Sequence, residues 1–415
     1  MKAFARVLSA VVVSMLLGAG ASLADPGNIP VDPALAINHP DEFNWRLFAD
    51  VNKDAHLASR PGVAIWETWA DDPGTFPAPA SLPAGSAPMW PDPEKACARL
   101  RSNVQLNALR SRAFKPFVVP FPDNNPHQQE TRRNKATFDF IVGQNLWSRA
   151  GLADRFKSGQ PIIAPSESIE VKADWLTASA DDSKRYHVSV DCNGKSWKLV
   201  GLHIISKALP NWSWATFEHV DNAGRCDFIG CHDSYGATVS STSPLQSAEG
   251  EPVVGGTYPA DATCKKTEPL TGIFTAAGLD QAVWGNYCLK GSQVDFTTLA
   301  GEPTRLGNSV TEKGFVRTSS CMSCHSRAST DAGGLSVLFP GFVKLVGEAA
   351  QENSEGPIGS PDPFWFKATD LQVLSSRQTS SGLSGSPDKW LRQPDRRGRG
   401  AGAGLPHRDF IYRGE

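Results

Sequence analysis

The chain has no excess of positive charge. Its 41 Lys and Arg stand against 43 Asp and Glu, a formal net charge of −2. That balance argues against a nucleic-acid partner, which needs a basic field. Beyond residue 24 there is no long uncharged apolar run, so no transmembrane anchor is expected after leader cleavage. No G-x-S-x-G nucleophile elbow occurs, so a Ser-His-Asp hydrolase is not signalled. Gly-rich phosphate loops and internal repeats are also absent. Tyrosine and methionine are scarce, at 5 and 4 residues.

What is present points outward from the cell. The first residues, MKAFARVLSAVVVSMLLGAGASLADPG, pair a basic start at Lys2 and Arg6 with an apolar run and small residues up to Ala24. That is the pattern of a secretory signal peptide over 1–24, and its apolar core is short for a membrane span. Export places the eight cysteines in an oxidising compartment, where thiols pair unless something claims them. Twelve Trp are expected to fill a core or wall a pocket.

One cysteine pair has a specific claimant. Residues 320–326 read SCMSCHS, and Cys321, Cys324 and His325 form C-x-x-C-H, the attachment motif of haem c. Two thiols at this spacing reach the two vinyl groups of one porphyrin edge, and the adjacent histidine ligates the iron as proximal base. A redox-active dithiol would want a strand before the motif and a long helix after it. The flanks GNSVTEKGFVRTSS and SRASTDAGGLSVLFPG offer neither. A zinc site would want a second ligand pair nearby, and none is in the sequence around it.

A second segment, GRCDFIGCHDS, carries Cys226 and Cys231 with His232 directly after. Two extra residues between the cysteines could bulge outward and leave a stretched haem site, with His232 on a second iron. The same residues could equally close a small disulfide loop, with Gly230 easing the turn. Parity of the cysteine count leaves both open, so one haem c or two are compatible with it.

A six-coordinate iron needs a ligand on its far face, usually His or Met. Met1 and Met15 belong to the leader, Met322 lies inside the motif, and Met89 sits in a Pro-rich stretch. Histidine is therefore favoured. His203 in GLHIISK and His219 in TFEHVDN are the leading candidates for a distal ligand. For each, an ordinary hydrogen-bonded core histidine is the alternative, and an open iron would favour catalysis.

The fold expected is α+β: an antiparallel sheet-containing body with peripheral helices and long loops. Residues 25–93 form an N-terminal segment, with FNWRLFADVNKDA and VAIWETWADD as parts of a helix and a strand, and with a Pro-rich loop over 73–93. The body spans 94–375. Helical periodicity runs over 94–110 and over 134–156. SIEVKADWL, RYHVSVDC, SWKLVGLHIISK and WSWATFEHV read as strands between about 167 and 220. Cys264 with Cys288 and Cys97 with Cys192 are natural disulfide partners, though connectivity is not readable from sequence. Residues 376–415, with Arg396, Arg397 and Arg399 clustered, read as a low-complexity, disordered tail. A small cytochrome c domain would begin with an amphipathic helix before C-x-x-C-H and end with a Met ligand, and neither is visible. The haem is expected between its own loop and the sheet.

The segments VKADW, GLHIISK, NWSWATFEHVDN, RCDFIGCHDSYG and SCMSCHSRAS together resemble a family of exported bacterial proteins described as cytochrome c family proteins. The resemblance covers most of 95–345 and implies haem c at Cys321, Cys324 and His325. The function expected is a periplasmic c-type cytochrome passing single electrons to a periplasmic redox partner protein. The alternatives are a haem oxidoreductase of peroxidase or oxygenase type with an open iron, and an exported binding protein whose cysteines are structural.

Overall fold

The computed structural model describes residues 29–78, 81–102, 127–158, 162–222, 224–226, 229–237, 265–280, 282–296, 304–312, 316, 319–325, 329–330 and 336–337. The expected leader, the expected tail and Cys264 lie outside the described residues.

The chain enters through two short helices. Asp32 caps α1 (Pro33–Asn38), its carboxylate accepting from the Ala34 and Leu35 N–H groups, with proline at the first helical position. α2 (Pro40–Val51) again begins on proline, with Asp41 and Glu42 in its first turn, where the helix dipole favours negative charge. A 3₁₀ turn over Ile65–Thr68 leads into β1 (Ala70–Asp71) and α3 (Asp72–Thr75). VAIWETWADD is therefore mostly a turn, with only two strand residues. There follow β2 (Arg101–Ser102), β3 (Gln128–Arg133), α4 (Lys135–Gly143) and α5 (Arg149–Ser158). The strands β4 (Ile169–Thr177), β5 (Val188–Val190), β6 (Ser196–Ser206) and β7 (Ser213–His219) match the four alternating segments of the sequence. Then come α6 (Glu268–Ala277), β8 (Tyr287–Gln293), α7 (Cys321–His325) and the small pair β9 (Ser329–Thr330) and β10 (Ser336–Val337).

β1 to β8 form one eight-stranded antiparallel sheet in the order β1-β3-β4-β6-β7-β8, with β2 on β3 and β5 on β6. The class is α+β, distinct from a small all-helical cytochrome domain. Because side chains alternate across a strand, the sheet presents two different faces. On the first, Val171, Ala173 and Trp175 of β4, Leu202 and Ile204 of β6, and Ala215 and Phe217 of β7 build the main core. Phe43, Leu47 and Phe48 of α2 and Leu270 and Phe274 of α6 close it. Trp45 meets Phe217 edge-on at 5.0 Å. The residues before 94 thus share the body's core.

Tryptophan fills this core with its polar edge satisfied. The indole N–H of Trp45 donates to Asp233 at 2.9 Å, that of Trp66 to Asn52 at 2.9 Å, and that of Trp175 to Glu130 at 3.1 Å. A buried indole left without an acceptor would cost the desolvation of its N–H.

Two helix expectations need correction. Residues 94–102 hold turns and β2 rather than a helix. The disulfide Cys97–Cys192, the bridge Ala98↔Asp191 and the pairing of β2 with β3 impose extended backbone there, overriding local periodicity. Residues 134–156 form two helices rather than one. The break follows Gly143 and turns at Asn145, whose φ of 55° is left-handed.

Candidate functional site

The second face of the sheet carries polar and charged side chains at the alternate positions. Lys172 of β4 lies opposite His203 of β6, and His203 lies opposite Thr216 of β7. Trp214 and Glu218 flank Thr216 on the same face.

A loop, residues 304–312, is bound across this face. The Asn308 amide donates to the Thr216 hydroxyl at 3.0 Å and to the Phe217 carbonyl at 3.2 Å. The Ser309 N–H donates to Glu218 at 2.7 Å, and the Ser309 hydroxyl binds the same carboxylate. The Thr311 hydroxyl binds Asp174. Glu218 also meets Lys290 of β8 at 3.3 Å, both side chains being essentially buried. A buried carboxylate holds its charge only with such partners. Gly201 makes the approach possible: a Cβ there would stand 2.9 Å from the Asn308 amide nitrogen.

The C-x-x-C-H segment docks beside that loop. The Gln293 carboxamide, at the end of β8, accepts from the Met322 N–H at 3.1 Å and donates to the Ser320 hydroxyl at 2.9 Å and to Thr304 Oγ1 at 2.7 Å. The Leu306 N–H donates to the Ser319 carbonyl at 3.2 Å, and Cys321 Sγ lies 3.6 Å from the Leu306 carbonyl. Met322 is buried with Trp212, Trp214, Leu306 and Phe296 in a second, smaller core. The motif forms the single helical turn α7. Positions 324 and 325 follow Cys321 by three and four residues, the spacings that neighbour one another along a helical turn.

The His325 ring packs 4.6 Å from Trp214, tilted by 44°. Burial lowers its pKa to about 3, and the nearby Lys172 and His203 charges add to the effect, with Glu312 opposing. The imidazole is therefore neutral, as a metal ligand must be. His203, nearly buried, has Nε2 3.3 Å from Glu312 Oε1. Burial raises the Glu312 carboxyl, but the His203 charge and hydrogen bond, with Lys172, hold it below its ordinary value.

The other predicted residues lie elsewhere. Cys226 and Cys231 are joined in a disulfide, so the loop reading of GRCDFIGCHDS is the one realised. Sulfurs bonded to each other are not available for thioethers, which corrects their assignment as a second haem site. His232 Nε2 contacts the Ile229 carbonyl at 2.8 Å within the same loop, and the His232 backbone N–H donates to the Lys290 carbonyl at 2.7 Å. His219 also needs correction as a distal candidate. It points to the first face of the sheet, stacked on Tyr186 at 3.6 Å and 5.2 Å from the core Tyr287. Both its nitrogens are engaged, Nδ1 accepting from the Asp221 N–H at 3.1 Å and Nε2 facing the Arg185 carbonyl at 3.1 Å. Met89 is 84 % exposed. Cys288 is disulfide-bonded, with its partner outside the described side chains.

Sequence reasoning missed Trp214, Gln293 and Glu312. The first two carry a faint signal, a polar or aromatic residue at the off-beat of an apolar alternation. Glu312 carries none, since it arrives on a loop. Among the described residues, no three His, Cys, Asp or Glu side chains converge as a bare metal site. Among them too, no helix is long and apolar enough to cross a membrane.

No protein-family model matches the chain, and neither a curated protein nor a solved structure matches it.

Proposed function

We propose that the chain is an exported, periplasmic or secreted c-type haem protein that transfers single electrons to a redox partner protein. Haem c is held through Cys321 and Cys324, with His325 on the iron. The observation that carries the reading is the C-x-x-C-H motif on one helical turn, seated on the polar face of the sheet. Bound there, haem supplies a one-electron couple. The chain's own residues do the rest. Gln293 anchors the start of the motif helix, burial keeps His325 neutral, and Trp214 walls one side of its ring. The disulfides Cys97–Cys192 and Cys226–Cys231 fit an oxidising compartment, and the leader pattern of the sequence supports export.

The test is the intact mass of the mature protein made in a host with haem c maturation, with pyridine haemochrome absorbance per chain. One haem per chain is expected, because the second cysteine pair is occupied by its disulfide. Two would reinstate Cys226, Cys231 and His232 as an attachment site. A colourless protein of unmodified mass would sink the haem reading and favour an exported, disulfide-stabilised binding protein.

A further inference from the structure

The haem reading leaves open what faces the iron opposite His325, and on this the electron carrier and the open-iron enzyme part. We propose that His203, positioned by Glu312, is the second axial ligand of the haem held at Cys321 and Cys324. The inference rests on the proposed haem site and deepens it.

Three observations carry it. First, His203 stands on the sheet face to which the motif docks. It pairs with Thr216, two residues from Trp214, and Trp214 is in ring contact with His325. Second, one nitrogen of His203 lies 3.3 Å from the Glu312 carboxylate. A carboxylate on one ring nitrogen sets the tautomer, aims the ring and raises the basicity of the other nitrogen, the usual support for a metal-bound histidine. Glu312 is itself on the strapped loop, its carboxylate accepting from the Asn308 N–H, so the carboxylate facing the ring is fixed by its own loop. Third, four other candidate ligands are placed elsewhere. His187 is bound to Glu67 at 2.7 Å, His219 is engaged on the opposite face, His232 sits in the Cys226–Cys231 loop, and Met89 is on the surface. The result is a six-coordinate iron with two imidazoles. That arrangement suits electron transfer without ligand exchange and leaves no site for peroxide or oxygen.

The experiment uses the full chain with haem attached, in the wild type and in His203→Ala, His219→Ala and Glu312→Gln. Absorbance and low-temperature electron paramagnetic resonance report the spin state. Wild type and His219→Ala are expected to be low-spin. His203→Ala should become high-spin and return to low-spin when imidazole is added. A high-spin wild type, or a His203→Ala protein that stays low-spin without imidazole, overturns the inference while leaving the haem intact. If His203→Ala does not accumulate, His203→Met replaces it: the inference expects an altered low-spin signal, and an unchanged one overturns it. Glu312→Gln should raise the midpoint potential, because the ligand loses its carboxylate partner; an unchanged potential removes Glu312 from the assignment. A chain without haem mass or haemochrome fails the haem reading itself, a result distinct from every spin-state outcome.

Discussion

At the scale of residues, the two histidines that look alike in sequence are separated by the pleat. His203 and His219 each follow alternating apolar residues, yet one faces the motif and the other the core. Burial lowers the His219 pKa to about 4, only partly offset by its hydrogen bond to the Arg185 carbonyl and by Asp221. Its protonated form is thus disfavoured by the fold. Between its ordinary value of 6.5 and about 4, the unfolded chain binds the extra proton and the folded one does not. The stability contributed by neutral His219 is therefore complete above that window and lost as pH falls through it. The full loss is on the order of 3 kcal/mol. Urea unfolding at pH 7 and pH 4.5 should show a steeper acid loss in wild type than in His219→Gln; equal slopes would contradict it. The buried Glu67 carboxyl behaves differently. Burial raises it, but the His187 charge and hydrogen bond bring it down to about 2, so this pair supports the fold well below neutral pH.

At the scale of elements, the 304–312 loop is the part most exposed to a single substitution. Asn308 bonds both the Thr216 hydroxyl and the Phe217 carbonyl, and it does so over Gly201. Gly201→Val puts a branched side chain where the amide stands. Overpacking of this kind costs about 1–3 kcal/mol. The expected signature is selective: hydrogen exchange should rise at 304–312 and at the motif turn before it rises in the core of β4 and β6. Uniform protection in the variant would show that the loop is held by other contacts. Gln293→Ala tests the other anchor. It removes the carboxamide that accepts from Met322 and donates to Ser320 and Thr304, leaving buried partners unpaired. The expected loss is about 1–3 kcal/mol in a denaturant titration, and on the proposed haem reading incorporation per chain should fall with it.

At the scale of the whole molecule, the Cys97–Cys192 bridge ties the segment after the Pro-rich loop to the turn beyond β5, across a sequence separation of 95. Closing so long a loop removes much of the unfolded chain's freedom, worth about 4.7 kcal/mol in the chain-entropy account. The double variant Cys97→Ala, Cys192→Ala should lose stability of that order by reversible unfolding, whereas Cys226→Ala, Cys231→Ala should lose about 2.5 kcal/mol less, because its loop is short. Equal losses would mean that native packing, not loop closure, sets the effect.

Much of the architecture was written in local pattern. Period-two alternation marks β4, β6 and β7, the capping aspartate and prolines open the first helices, and C-x-x-C-H stands out by its spacing. β8 was missed, because YCLKGSQ carries a glycine and a lysine inside the strand and its pairing with β7 shifts register beside Gly291. The helix periodicity at 94–102 misled, since a covalent bridge and two strand contacts outweigh it. The sequence by itself determined the strand segments of the sheet and the spacing of the C-x-x-C-H motif. Only the tertiary structure decided that Cys226 and Cys231 pair with each other, that His203 and not His219 shares a face with His325, and that Glu312 meets His203 while Gln293 anchors the motif turn. The physical reason is that pleat phase, strand register and loop closure join residues as far apart as His203 and Glu312 in no local pattern, while capping, alternation and motif spacing act within a few residues.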